Sequence, residues 1–419
     1  MREQDLNIYK IDLENNKDLH LLVTDQCNKI LPRYGWYNYK HSFSRDLVFG
    51  LLNDFGFNKQ NCKEHVIFDP FCGAGTTLLA SKEYGIKSIG MDIMPFSVFI
   101  STAKTYNYDF NVLLKTWSSF SSPHVLNMNL IDFKDKKAIL QRYYDEKILD
   151  IVLKLYAWID LQQTQVRLFF LTALFSILED ISNVKKDGGF LRFCEKTVTS
   201  DMVLESFENC VIQQLEDIQQ ERILQLSPEV TLIQGDARAI DIPNDSISAI
   251  ITSPPYPNRH DYTRIYYAEL ALGFYNNNED IKRLRYDTLR SHVEARKKKS
   301  SEGYSTPSGL NSLIADIKNK PMPNKSVIPM LEGYFEDMHI VFIELKRILK
   351  QDGYFALVVC DVRYSGVIIP VVSLLQELAA NVGFKFVKKI VARHKHNSAQ
   401  QMKEYGKKPI EESIIIWQK

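Results

Sequence analysis

Residues 69–77 read Asp69-Pro70-Phe71-Cys72-Gly73-Ala74-Gly75-Thr76-Thr77, between the apolar run 65–69 and a segment of helical length. A strand that passes through two glycines straight into a helix demands a βα unit, with free backbone N–H groups where the helix begins. The alternation recurs along the chain. Apolar runs at 87–92, 230–233, 248–252 and 353–360 are separated by helical stretches, 334–350 among them. This pattern predicts an α/β fold on a mostly parallel, doubly wound sheet. Runs at 384–391 and 413–417, after the helical segment 371–381, bring the candidate strands to seven.

With 419 residues the chain is longer than one such sheet needs, since a domain averages roughly 150 residues. Two stretches lie outside the alternation. Residues 111–227 are helical in pattern and are punctuated by the turn Lys185-Lys186-Asp187-Gly188-Gly189. Near their end, Leu204, Phe207, Val211, Leu215 and Ile218 form a helix-packing stripe. Residues 275–330 are polar and turn-rich, and between 281 and 330 Lys and Arg outnumber Asp and Glu by 11 to 4. The chain therefore divides into an N-terminal core segment (1–110), a helical insertion (111–227), a second core segment (228–274), a basic insertion (275–330) and a C-terminal core segment (331–419).

Composition excludes several classes. Hydrophobic residues at 45% and charged residues at 25% are the mixture of a globular chain, not of a disordered polyelectrolyte. The longest apolar stretch, 168–178, is about half the length that crosses a bilayer, so it reads as a buried helix. The N-terminus carries no apolar core of the signal-peptide kind. Cys27, Cys62, Cys72, Cys194, Cys210 and Cys360 are scattered without a CxxC pair, and His394 and His396 have no acidic or Cys partner at ligand spacing. A reduced, cytoplasmic protein without a metal site is expected.

Taken alone, the glycine turn at 73–75 suits a dinucleotide, a nucleotide or S-adenosylmethionine. Leu78 stands where a GxGxxG fingerprint needs its third glycine, and no Gly-Lys-Ser/Thr follows, so neither a dinucleotide fingerprint nor a P-loop fits. Asp92, at the end of the next strand, is placed to accept hydrogen bonds from two ribose hydroxyls. A second motif, Thr252-Ser253-Pro254-Pro255-Tyr256, follows the apolar run 248–252. Two successive prolines stop a central strand and remove two backbone donors, leaving carbonyls free to accept. With the Ser253 hydroxyl and the flat Tyr256 ring beside them, the loop suits a planar heterocycle that bears an amino group.

The pair DPFCGAGTT and TSPPY resembles the S-adenosylmethionine-dependent DNA methyltransferases that modify exocyclic amino groups, at cytosine N4 or adenine N6. The resemblance covers the core, and neither insertion takes part in it. It implies a Rossmann-like seven-stranded sheet with an antiparallel last strand, and S-adenosyl-L-methionine as cofactor. It assigns cofactor contacts to Asp69, Phe71, Gly73, Gly75 and Thr76, to Asp92, and to Asp236 of Gly235-Asp236-Ala237-Arg238. The segment Tyr39-Lys40-His41-Ser42-Phe43-Ser44 resembles the preceding cofactor motif and adds His41, Ser42 and Phe43. Ser253, Pro254, Pro255 and Tyr256 take the catalytic positions, and the Ser-Pro-Pro-Tyr form is the one typical of cytosine-N4 enzymes. The cofactor motif precedes the catalytic one, which excludes the permuted members of the family.

The chemistry implied is direct methyl transfer to an amino nitrogen, in which positioning and electrostatics dominate. Attack on the pyrimidine ring by cysteine would need a Pro-Cys pair, and none of the six cysteines follows a proline. A base within a duplex must be flipped to reach such a loop. Arg259, Tyr262 and Arg264, in the polar run with Asn258, His260 and Asp261, are candidates to grip the nucleotide. Tyr364 is a candidate wall of the base pocket. Arg296, Lys297, Lys298 and Lys299 are candidate phosphate contacts in the basic insertion. Arg393, His394, Asn397, Gln400 and Gln401, placed between the last two strands, suit either DNA contact or a surface hairpin loop. The expected partners are double-stranded DNA and a restriction endonuclease or other defence-system protein, with no membrane. Adenine-N6 methylation, RNA guanine-N2 methylation and a non-catalytic DNA-binding subunit stand as alternatives to cytosine-N4 methylation.

Overall fold

The computed structural model describes residues 11–14, 16–58, 60–220, 228–298, 300–322, 324–395 and 399–419. Lys299, His396, Asn397 and the side chains of Gln400 and Gln401, all singled out above, lie outside the described residues. The central sheet comprises β1 (Val66–Asp69), β2 (Lys87–Asp92), β3 (Val230–Gln234), β4 (Ile247–Thr252), β5 (Leu349–Cys360), β6 (Lys385–Lys395) and β7 (Ile410–Gln418). Their spatial order is β6-β7-β5-β4-β1-β2-β3. Only β7 runs against its neighbours, and every other pairing is parallel. The chain thus forms the expected Rossmann-like methyltransferase sheet with its antiparallel last strand. From β1 the chain winds outward through β2 and β3, then returns to β4 on the other side of β1. That reversal opens a crevice at the carboxyl ends of β1 and β4.

Strand alternation sends Ile67, Ala249, Ile251, Ala356 and Val358 into one apolar cluster, and Phe68, Ile250, Phe355 and Leu357 into another on the opposite face. Helices α1 (Arg45–Asp54) and α2 (Thr76–Tyr84) contribute Leu47, Phe49 and Ala80 to the first cluster. Helix α3 (Pro95–Thr105) follows β2. Helices α4 (Val327–Ile348) and α5 (Val371–Val382) supply Tyr334, Phe342 and Leu375 to the second. Both faces are covered, which is why the parallel strands read as continuous apolar runs rather than alternating ones. The ends of β6 differ from the sequence reading. A bulge between Val391 and Arg393 lets pairing with β7 continue to Lys395, so Arg393 and His394 belong to the strand and not to the connecting loop.

The helical insertion packs on the core through a third cluster, in which Phe169, Phe175 and Phe207 join Phe96 of α3 and Tyr266. Residues 168–178 lie within the buried helix Thr164–Ile177 and its cap. No helix among the described residues is long and apolar enough to cross a membrane. The turn at 185–189 is the tip of a hairpin, Val184–Asp187 paired with Phe190–Phe193. From that hairpin Lys186 reaches Glu269 at 2.5 Å and the Tyr37 hydroxyl at 2.7 Å, and both charged side chains are buried. Removing one partner of a buried ion pair strands the other charge, at a cost of about 3–5 kcal/mol. We therefore expect Lys186→Met and Glu269→Leu each to destabilise the protein by about that amount. The double substitution should cost less than the sum, measured by urea unfolding.

Candidate active site

The crevice at the strand ends is a cleft of about 930 Å³, counting space open to solvent. β1 delivers Asp69, which is 2% exposed and accepts from the Thr252 hydroxyl at 2.6 Å and the Phe71 amide at 3.1 Å. The loop then turns through Gly73 (φ +47°) and Gly75 (φ +76°) into α2. A side chain at Gly75 would sit 2.9 Å from Ser101 of α3, so that position needs glycine for space as well as for its left-handed backbone. Asp92 closes β2 on the far wall, where its carboxylate accepts from the Gly73 amide at 3.1 Å and the Met94 amide at 2.9 Å. Burial raises the carboxyls of Asp69 and Asp92 to about 6, against the lowering effect of these hydrogen bonds.

His41, Ser42 and Phe43 form one rim of the cleft, with Ser42 Oγ 3.0 Å from Thr76 Oγ1. His41 adopts a left-handed backbone (φ +64°), and its ring stacks on His260 at 4.7 Å. Asp236 lines the opposite side, but its carboxylate is already engaged by Arg238 in a two-point contact (2.9 and 2.8 Å) and by Lys298 at 3.5 Å. Although burial opposes it, the Arg238 contact holds that carboxyl below its usual range. Arg238 in turn meets Asp337 of α4, a fully buried carboxylate that also takes Arg290 at 2.6 Å.

At the end of β4, Pro254 and Pro255 break the strand and turn Ser253 toward the cleft. Ser253 also lines a second cavity of about 490 Å³, together with Tyr256, His41, Arg393, Lys395 and Glu412. Ser253 Oγ lies 3.2 Å from the Tyr256 hydroxyl. The two cavities share His41, Ser42, Phe43 and Ser253, so a molecule in one lies beside a molecule in the other.

The remaining sequence-derived candidates scatter. Tyr262 lines the cofactor cleft. Arg259 is exposed, has a left-handed backbone (φ +70°), and has no ion-pair partner among the described residues. Arg264 is held by Asp261 and Glu294. Tyr364 lines neither cavity. Its hydroxyl donates to the Pro257 carbonyl at 2.5 Å, which ties it to the backbone just beyond the Pro-Pro-Tyr loop. Lys297 pairs with Glu336, Lys298 with Asp236 and Asp287, and Arg296 lies over the Tyr286 ring at 3.6 Å. Lys297 and Lys298 are therefore neutralised by neighbouring carboxylates, and the basic insertion offers less free charge than its composition suggests. Among the described residues no group of three or more His, Cys, Asp and Glu side chains is arranged to hold a metal ion.

Sequence reasoning missed Leu289, Ser291 and His292 of the basic insertion, which wall the first cleft, and Glu412, which lines the second cavity beside Ser253 and Tyr256. Only the folded chain brings them there, and no local motif surrounds them.

The cleft suits S-adenosylmethionine in its donor set. Asp69, Asp92 and Asp236 line it with carboxyl groups that a cationic, hydroxyl-rich molecule would match, and Phe71, Ile93, Met94 and Leu289 offer apolar surface that a planar base would match. We propose that Asp92 accepts from ribose hydroxyls on both oxygens, which requires its ionised form. Cofactor affinity should therefore fall as pH drops through about 6, where this buried carboxyl gains its proton, rather than through the ordinary aspartate range. Calorimetric titration at pH 7.5 and 5.5 tests this, and Asp92→Asn should weaken binding and flatten the pH dependence.

Residues 40–102, which span both cofactor motifs and β2, match the family model described as a DNA methylase (N6_N4_Mtase). The chain is 32% identical to the Type II methyltransferase M.BsoBI of Geobacillus stearothermophilus, over 95% of this chain and 88% of the relative. It is 30% identical to the Type II methyltransferase M.AvaI of Anabaena variabilis, over 95% and 89%. The Type II methyltransferase M.MvaI of Kocuria varians matches at 23% identity over 58% of this chain and 56% of its own. With relatives of this identity along almost its whole length, and with the sheet order and cofactor cleft described above, the chain belongs to the S-adenosylmethionine-dependent Type II DNA amino-methyltransferases.

Proposed function

We propose that the protein transfers the methyl group of S-adenosylmethionine to N4 of a cytosine flipped out of duplex DNA, at a specific sequence. The observation that carries this reading is Ser253. It stands first in the Pro-Pro-Tyr loop, where adenine-N6 enzymes more often have Asp or Asn, and it lines both the cofactor cleft and the neighbouring cavity. The cofactor supplies an electrophilic methyl group on a sulfonium. The protein's part is to hold an amino nitrogen whose lone pair is delocalised into its ring. Ser253 Oγ and the Pro254 carbonyl accept its N–H bonds, favouring a pyramidal nitrogen aimed at the methyl. The Tyr256 ring stacks on the base, and the shared wall of His41, Ser42 and Phe43 keeps the two reactants adjacent.

Of the cationic candidates, exposed Arg259 and Arg296, neither in an ion pair among the described residues, are the best placed to meet phosphate, followed by Lys297, Lys298 and Arg264, whose charges carboxylates already engage. We assign cofactor contacts to His41, Ser42, Phe43, Asp69, Phe71, Gly73, Thr76, Asp92 and Asp236, a reading supported by their lining the cleft, and to Gly75, which turns the loop into α2. A role in restriction–modification, beside an endonuclease of the same specificity, fits the Type II names of the relatives. The base is tested by expressing the protein in a host without DNA modification and identifying methylated nucleosides by mass spectrometry. We expect 4-methylcytosine. Finding 6-methyladenine alone would sink the cytosine reading, and methylated RNA beside unmodified DNA would sink both.

A further inference from the structure

Glu412 has no part in the chemistry described so far, yet it sits against the catalytic loop. Its side chain, 3% exposed, lies on β7 directly opposite Arg393 of β6. The bulge before Arg393 re-aims that side chain toward the carboxylate. Arg393 Nε donates to Glu412 Oε2 at 2.5 Å, and Lys395 Nζ donates to Oε1 at 2.6 Å. The third neighbour is the Tyr256 hydroxyl, 3.4 Å from Oε1, which is itself 3.2 Å from Ser253 Oγ. All five side chains line the second cavity.

We propose that Glu412 is a positioning residue that fixes the direction of a hydrogen-bond chain ending on Ser253. A carboxylate flanked by two cations only accepts, so the Tyr256 hydroxyl donates to Glu412. The phenol oxygen then receives the Ser253 hydrogen, and the lone pairs of Ser253 Oγ are left to accept N–H from the target amino group. A serine hydroxyl without this chain rotates between donating and accepting, and a donating serine would oppose an amino group. An Asp or Asn oxygen in that position would need no such partner. The inference rests on the reading of Ser253 as acceptor for the target amino group.

Single-turnover methyl transfer by the full chain, with S-adenosylmethionine and duplex DNA, tests it. Tyr256→Phe keeps the stacking ring but cuts the chain, and Glu412→Gln replaces a pure acceptor by a group that also donates. Each should slow transfer on the order of tenfold, about the worth of one charge-assisted hydrogen bond. Cofactor affinity should stay at the wild-type value. The double variant should be no slower than the slower single, because both changes break one chain. Losses that multiply in the double variant, or Tyr256→Phe at the wild-type rate, overturn the proposal. Glu412→Asp keeps the charge for Arg393 and Lys395 but withdraws it from Tyr256. If Glu412→Gln loses cofactor binding, that variant decides: slowed transfer with normal cofactor affinity supports the chain, and a wild-type rate overturns it. The identity of the methylated base, read on the wild type alone, tests the cytosine assignment separately, since the rates are compared on whichever base is modified.

Discussion

The Asp69 carboxylate joins the end of β1 to the end of β4, through the Thr252 hydroxyl at 2.6 Å, while the same oxygen takes the Phe71 amide of the cofactor loop. These strands flank the point where the sheet order reverses, so the loops that leave them enter one crevice. Locking their ends together sets the distance between the cofactor cleft and the Ser253 loop. The rest of the site hangs on those two loops. Asp92 accepts from Gly73 of the first, and Tyr364 donates to Pro257 just beyond the second. Burial disfavours the Asp69 charge and the hydrogen bonds restore part of what is lost, which leaves the group poised near pH 6 instead of deep in the acid range.

Around this centre the insertions act as braces. The hairpin of the helical insertion buries Lys186 against Glu269 and brings Gly189 against the backbone of His260, in the loop that follows the Pro-Pro-Tyr motif. The basic insertion is pinned by Arg290 to Asp337, the same carboxylate that holds Arg238 behind Asp236. A continuous set of ion pairs therefore runs from the cofactor cleft to the start of the basic segment. Such a network specifies geometry more than it adds stability, since each charge must first be stripped of water.

Much of the site was legible in the sequence because its motifs are local. Asp69, Gly73, Gly75 and Asp92 sit at strand ends, where backbone geometry alone determines what a glycine or a carboxylate can do. Ser253 and Tyr256 follow a strand that two prolines must terminate. Tyr364 follows β5 as the sequence indicates, but the partner of its hydroxyl, the Pro257 carbonyl, is 107 residues away and no local pattern announces it. Charge counting failed for the same reason. The surplus of basic residues between 281 and 330 is real in composition, but Lys297 and Lys298 meet acidic residues from α4, from Gly235-Asp236 and from Asp287, most of them distant in sequence.

By itself the sequence determined the strand–helix alternation, the two loops and the order in which they occur, because hydrophobic period, glycine freedom and proline chemistry act over a few residues. Only the tertiary structure decided which side chains face those loops. Glu412 reaches Tyr256 across 156 residues of chain, and Leu289 and His292 reach the cofactor cleft from a segment that carries no motif. The reason is physical: a carboxylate's partners are chosen by sheet register and by the bulge that turns Arg393 toward it, and register is a property of paired strands that neither strand contains alone.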